Sequence, residues 1–176
     1  ALMPCKDGLV SRSHYNVAGS STGRLTINKG PNILTMKSSA REAFKSSYNE
    51  GSILQIDLSA AEPNIALNIA GLEANKDVYQ HIASEILKNT VSRSDAKLII
   101  LCALYGQSSS KLQRSLPANL DARSIIRKCR EYFDVNNLEK NLLKLHRSGN
   151  LRNVLGRPLK LDASDSRLLI SYYLQS

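Results

Sequence analysis

Residues 93–106, RSDAKLIILCALYG, constrain the fold of this chain more than any other stretch. Their apolar residues follow helical spacing and predict a helix over 94–105. Arg93, Lys97, Leu101 and Tyr105 each lie four residues apart. On a helix they form one slanting row about 18 Å long, because each residue adds about 1.5 Å of rise. The helix therefore carries two cations and a tyrosine along one edge.

This edge has two interpretations, and the residues leave both open. Two cations at the N-terminal end of a helix, together with the helix dipole, are typical of an anion site. The apolar and aromatic residues farther along could pack on a flat ring, so a triphosphate followed by a sugar and a base would match the row. In the alternative, the helix is half-buried and its cations reach solvent along their apolar stems.

A candidate acid follows the clearest strand signal. SILQIDL (52–58) alternates and predicts a β-strand, and the next residues predict a helix with Pro63 in its first turn and Gly71 at its end. Asp57 would then stand at a strand-to-helix turn, with Glu62 as a second acid close by. A carboxylate in that place either binds a metal ion or caps the helix that follows.

The rest of the chain predicts the fold class. Residues 1–50 are rich in Ser, Gly, Asn and Lys and predict loops, short strands and one helix near SSAREAFKSS. Further helices are predicted at 77–88, 94–105, 121–132 and 136–148. A hairpin around Gly156 and a last helix capped by Ser164 or Asp165 follow. This order predicts an α+β protein with a large helical insertion.

The charge favours a polyanionic partner. The 176 residues include 24 Lys and Arg against 15 Asp and Glu, which gives a formal net charge of +9. Such an excess is typical of proteins that bind nucleic acid, although a basic protein without such a partner has the same composition. A 42% hydrophobic content is enough for one domain with its own core.

The cysteines and the apolar runs indicate the cellular compartment of the protein. Cys5, Cys102 and Cys129 are an odd number without CxxC spacing, which argues against a disulfide framework or a zinc site and suits a reducing compartment. The longest apolar run, 98–104, is too short to span a bilayer, and no signal peptide is visible. We therefore expect an intracellular, cytoplasmic protein without a membrane partner. The chain starts without Met and ends in SYYLQS, so we expect a piece of a longer protein.

Several motifs together resemble the family A DNA polymerases. DLSAAE (57–62) is similar to the family's motif A, and RSDAKLIILCALYG is similar to its motif B. The order and separation of these two motifs are the most specific part of the resemblance. Shorter stretches also match the family pattern, namely TGRL, GPN, AREAF, REYF, LGRPL and SRLLISYYLQS. The resemblance runs from about residue 8 to the end of the chain.

The resemblance implies a partial polymerase palm, with short antiparallel strands, and an all-helical fingers insertion. The palm part with motif A would cover residues 1–64, the helical fingers with motif B residues 65–150, and a hairpin and helix returning to the palm residues 151–176. The implied activity is a DNA-directed DNA polymerase. It adds deoxynucleotides to a primer 3′-hydroxyl with the help of two Mg²⁺ ions.

The resemblance also implies roles for single residues. The nucleotide site would consist of Arg93, Lys97, Leu101, Tyr105, Glu62 and Tyr79. Arg93 and Lys97 would hold the triphosphate, and Lys97 would also shield or protonate the pyrophosphate leaving group. Leu101 would touch the sugar, Tyr105 would guard the templating position, and Glu62 would exclude a 2′-hydroxyl.

The remaining roles concern metal and DNA. Asp57 would be a catalytic residue that binds both magnesium ions, with the Leu58 carbonyl as a further ligand. Primer–template DNA would be contacted by Arg24, Asn32, Arg41, Arg167 and Gln175. Deoxynucleoside triphosphates would be the other substrate, and thumb and palm segments in the same or another chain would be the remaining partners.

This chain departs from the family pattern at several positions. Leu58 stands where Tyr is common, Leu101 replaces an aromatic residue, and Tyr79 occupies the place of a frequent His. These departures imply a divergent phage or viral branch, in a bacterial or phage-infected cell. Motif C, which carries the second metal-binding acid, would lie beyond residue 176, so we expect no primer extension by this chain alone. The alternatives are a single-subunit RNA polymerase-like enzyme and a nucleic-acid-binding remnant without catalysis.

Overall fold

The computed structural model describes residues 10–17, 19–73, 76–161 and 168–176. The chain separates into two compact units, residues 1–57 and residues 58–176. The first unit carries a small antiparallel sheet and the second is helical. The protein is therefore of the α+β class. The boundary between the units falls inside the stretch that resembles motif A.

The first unit is built around a two-stranded sheet. Strand β1 (His14–Asn16) pairs antiparallel with β2 (Thr26–Lys29), with Tyr15 opposite Ile27. Gly30 follows β2 with φ of +89°, and a Cβ atom there would collide with the Arg12 carbonyl oxygen. Only glycine tolerates both conditions without strain. A 3₁₀ turn (Ile33–Thr35) and the short helix α1 (Ser38–Arg41) complete the described elements of this unit.

The strand predicted at 52–58 is wrong. Residues 51–58 form neither helix nor strand. Leu54, Ile56 and Leu58 are 81%, 83% and 78% exposed. A segment with alternating apolar residues forms a strand only where a neighbouring strand pairs with its backbone and a core covers its apolar face. Within the described residues the sheet consists of β1 and β2, so this segment has neither, and Asp57 does not stand at the end of a strand.

The second unit contains seven α-helices among its described residues: α2 (Ala61–Ile69), α3 (Val78–His81), α4 (Arg93–Tyr105), α5 (Ser109–Gln113), α6 (Ala122–Tyr132), α7 (Val135–Arg147) and α8 (Leu169–Gln175). A π-helical turn (Ile82–Ile86) continues α3. The predicted helices at 77–88, 94–105, 121–132 and 136–148 are confirmed within one or two residues at most ends. Pro63 lies in the first turn of α2, and Gly71 follows its end with φ of +73°.

Helix α4 lies at the centre of the core. It packs against α6, α3, α5, α8 and α2. Ile99, Ile100 and Leu104 on α4 are at most 1% exposed, as is Phe133 at the end of α6. Each such side chain stabilises the fold by about 1.5–3 kcal/mol relative to an exposed position. This packing fixes the orientation of α4 and therefore of the residues on its accessible edge.

One arginine joins three helices by polar contacts. Arg130 on α6 donates hydrogen bonds to the Ala103 carbonyl oxygen (3.0 Å), to Asn136 Oδ1 (2.9 Å) and to Glu139 Oε2 (2.9 Å). Its acceptors come from α4 and α7, and the Arg130 side chain is 23% exposed. Hydrogen bonds to a charged group in such a place each contribute about 1.5–3 kcal/mol. Arg130 therefore holds α7 against the central helices.

The C-terminal part follows the prediction. A β-bridge pairs Arg152 with Pro158 around Gly156, so the predicted hairpin is confirmed. The buried Asn153 accepts hydrogen bonds from the amides of Leu155 (3.1 Å) and Arg157 (2.8 Å), which stabilises the turn. Helix α8 confirms the predicted last helix. Its proposed caps, Ser164 and Asp165, lie outside the described residues.

Two cysteines are buried and unpaired. Cys102 and Cys129 are free thiols, and Cys5 lies outside the described residues. Burial raises the pKa of the Cys129 thiol to about 12 and also raises the pKa of Cys102. Both side chains therefore pack as small apolar groups. Across the described ranges, no helix has the length and hydrophobicity needed to cross a bilayer.

Candidate functional site

Helix α4 begins and ends at well-defined residues. Ser92 Oγ accepts a hydrogen bond from the Asp95 amide (3.1 Å), and Asp95 Oδ2 accepts one from the Ser92 amide (3.3 Å). This reciprocal capping box starts the helix at Arg93. Gly106, with φ of +65°, ends it. Because Ser92 and Asp95 satisfy these N-terminal amide groups, an anion at this end would be held mainly by side-chain cations.

The predicted row lies on the accessible edge of α4. Arg93 and Lys97 are exposed, while Leu101 and Tyr105 are half-buried. The Arg93 guanidinium carbon lies 5.4 Å from the centre of the Tyr79 ring, and Lys97 Nζ lies 6.0 Å from it. Tyr79 itself is only 8% exposed. Two cations therefore lie close to the ring of Tyr79 on α3, and the negative charge on the faces of an aromatic ring attracts cations.

Asp77 was missed by the sequence analysis as a site residue. Its Oδ2 atom accepts a hydrogen bond from Arg93 Nε at 2.6 Å, and its Oδ1 atom accepts one from the Gln80 amide (3.1 Å) at the start of α3. The Arg93 hydrogen bond lowers the pKa of the Asp77 carboxyl group. Within the described residues, the terminal nitrogens of Arg93 make no hydrogen bond, so they are available to a phosphate. An Asp directly before a helical pattern is an N-cap signal that would have pointed to this residue.

The other end of the row combines a tyrosine and an amide group. Gln175 Nε2 on α8 donates a hydrogen bond to the Tyr105 hydroxyl at 3.3 Å. Burial raises the pKa of Tyr79, and the charges of Glu62 and Tyr105 raise it further. Glu62 lies in the first turn of α2, which packs against α4 and α8. One region of the second unit thus brings together the predicted residues Glu62, Tyr79, Arg93, Lys97, Leu101, Tyr105 and Gln175.

The other predicted DNA-binding residues belong mostly to the first unit. Arg24 is exposed, and Asn32 Oδ1 accepts a hydrogen bond from the Thr35 amide (3.3 Å). Arg41 donates two hydrogen bonds to the Met36 carbonyl oxygen, at 3.1 and 3.0 Å, so its guanidinium is already engaged with backbone. Arg167 lies outside the described residues.

Asp57 is the predicted metal-binding acid. It is exposed and lines an open cavity of about 1160 Å³ on the first unit, together with Arg12, Arg41 and apolar side chains. In the part of the chain that is described, no three His, Cys, Asp or Glu residues are grouped to hold a metal ion. Mg²⁺ often takes only one or two protein carboxylates and completes its shell with water and substrate phosphates. The oxygen donors of Asp57 and the Leu58 carbonyl fit that requirement in their chemistry.

Comparison of the sequence with protein-family models gives no match, and comparison with curated proteins gives none either. A functional assignment therefore depends on the residues and distances described above.

Proposed function

We propose that this chain is the nucleotide-binding part of a DNA-directed DNA polymerase similar to family A. The observation that carries the proposal is the edge of α4. Two cations there lie over a buried tyrosine ring at 5.4 and 6.0 Å, and a second tyrosine, Tyr105, lies farther along the same helix. A deoxynucleoside triphosphate has the same order of chemistry, with anionic phosphates at one end and a sugar and flat base at the other.

Each residue of the edge has a part in binding. The terminal nitrogens of Arg93 and the ammonium of Lys97 bind the triphosphate through charge-assisted hydrogen bonds. Asp77 keeps the Arg93 guanidinium in place, and the Tyr79 ring attracts both cations. Leu101 contacts the sugar, and Tyr105 lies beside the base.

The reaction moves a nucleotidyl group. The 3′-hydroxyl group of a primer loses its proton to water, its oxygen forms a bond to the α-phosphorus, and the bond from that phosphorus to the bridging oxygen of pyrophosphate breaks. Lys97 neutralises or protonates the leaving pyrophosphate, which stabilises the charge that develops there. Asp57 and the Leu58 carbonyl would hold Mg²⁺, which supplies further neutralisation of phosphate charge.

The DNA partner belongs to the same proposal. The candidate contacts to primer–template DNA are Arg24, Asn32 and Arg41 in the first unit and, taken separately, Arg167 and Gln175 in the second unit. The net charge of +9 supports a phosphate-rich partner, and the buried unpaired thiols suit the cytoplasm of a bacterial or phage-infected cell.

Replacing Glu62 by alanine tests whether this residue contacts the sugar of the incoming nucleotide. We expect Glu62→Ala to raise the use of ribonucleotides relative to deoxyribonucleotides, because a side chain packed under the 2′ carbon excludes a hydroxyl group by contact. The measurement is single-nucleotide insertion by the protein that carries this chain at its natural length, comparing kcat/KM for matched ribo- and deoxyribonucleotides.

Glu85→Ala is the matched control, because Glu85 is an exposed carboxylate on the π-helical turn. In this control, the ratio of kcat/KM for ribonucleotides to kcat/KM for deoxyribonucleotides should equal that of the unaltered protein. An unchanged ratio in an active Glu62→Ala variant would remove Glu62 from the sugar site. It would also favour the single-subunit RNA polymerase-like alternative, in which a small residue stands at this place.

A further inference from the structure

Helix α7 presents a row of cations that the proposed nucleotide site does not use. Lys140, Lys144 and Arg147 are spaced by four and three residues and fall within an arc of about 60°. The buried residues Val135 and Leu138, with Leu142, lie about 180° away around the same helix. The row is therefore held outward by the packing of the opposite face.

No carboxylate neutralises this row within the described residues. Glu139, the acid on α7, already accepts a hydrogen bond from Arg130 at 2.9 Å. Two arginines elsewhere in the second unit differ in this respect, because Arg93 pairs with Asp77 and Arg127 lies 3.9 Å from Glu131. The α7 row, with Leu143 and Ser148, lines a surface depression of about 430 Å³. It thus keeps a local excess of positive charge on an open, accessible surface.

We propose that the α7 row binds the phosphate backbone of a nucleic-acid strand, at a surface separate from the α4 site. The inference rests on the proposed function for the choice of nucleic acid, which is the polyanion such an enzyme meets. The three cations follow one another at about 4.5–6 Å along the helix axis and so match a ligand with closely spaced charges.

The packing of α7 argues against an anionic membrane as the partner. A helix that binds a lipid surface inserts its apolar face, and here that face is buried in the protein core. Between nucleic acid and an acidic peptide, the proposed function favours nucleic acid, and the polyglutamate arm of the test below separates the two. A phosphate backbone needs no insertion of an apolar face, because charge alone binds it.

The test is the salt dependence of DNA binding by the full chain. We expect the triple variant Lys140→Gln, Lys144→Gln, Arg147→Gln to bind a labelled primer–template at least tenfold more weakly at low salt. The plot of log affinity against log salt should become less steep by about 2–3, because each lost phosphate contact removes roughly 0.7–0.9 from the slope. Binding of a deoxynucleoside triphosphate should be unchanged.

The matched control removes the same charge from α6. Arg123→Gln, Arg127→Gln, Lys128→Gln alters exposed residues and should change the slope by less than half as much. An equal change in the two variants, or no change in the α7 variant, would overturn the inference. So would an equal loss of binding to polyglutamate or phosphatidylserine vesicles. If the unaltered chain does not bind a deoxynucleoside triphosphate, but the α7 variant still shows the smaller salt slope, the result contradicts the proposed function alone.

Discussion

Lys97→Ala is expected to weaken the binding of a deoxynucleoside triphosphate to this chain by roughly tenfold to a hundredfold. A hydrogen bond between charged partners contributes roughly 1.5–3 kcal/mol, and each 1.4 kcal/mol changes affinity about tenfold. Lys97 is exposed and its ammonium lies 6.0 Å from the Tyr79 ring centre, so its removal leaves the core of α4 intact. The loss should therefore be in affinity and not in folding.

Fluorescence anisotropy of a labelled deoxynucleoside triphosphate measures this loss, with circular dichroism to verify the fold. Lys128→Ala is the control, since Lys128 is an exposed cation on α6. It removes the same charge from the same unit and should change the affinity less than twofold. If both variants weaken binding equally, the triphosphate is attracted by net charge and not by the α4 edge.

Asp57→Asn is expected to lower the turnover of primer extension by roughly a hundredfold to a thousandfold, the range for loss of one group that stabilises developing charge. Asparagine has the size of aspartate but lacks the charge that would hold Mg²⁺. The primer–template affinity should be unchanged, because the carboxylate would act in the transition state and not on the duplex.

The extension assay uses the protein that carries this chain at its natural length, and DNA binding is measured on the same preparation. A second readout is the binding of Mn²⁺ observed by electron paramagnetic resonance, which should weaken in Asp57→Asn. Glu50→Gln, at another exposed acid of the first unit, is the control. Equal losses of turnover and DNA binding would make Asp57 a structural residue instead.

The helices could be predicted from the sequence because their signals are local. Apolar spacing, Pro63 in a first turn and glycines at helix ends act within a few residues, and α2, α4, α6 and α7 follow them. The strand at 52–58 could not be predicted correctly in this way. Alternating residues give a segment one apolar and one polar face. A strand also needs a neighbouring strand that accepts and donates its hydrogen bonds, and the segment's own sequence does not encode that neighbour.

The candidate site shows the same division. The row on α4 could be placed from the spacing of its residues alone. The contacts of this row with Asp77 and with the ring of Tyr79 depend on how α3 packs against α4. Arg93 and Asp77 are 16 residues apart in the sequence, so no local pattern encodes their contact. The capping of α4 by Ser92 and Asp95 is a local signal that the sequence analysis did not use.

The most direct measurement of the central claim is photo-crosslinking of an azido-purine deoxynucleoside triphosphate to this chain, followed by mass spectrometry of its peptides. The account predicts that the base will label residues near Tyr105, at 101–106, and in the first turn of α2. Excess unlabelled deoxynucleoside triphosphate should abolish this label, and Lys97→Ala should reduce it. Labelling confined to α7 or to residues 1–57, with none on α2 or α4, would contradict the account.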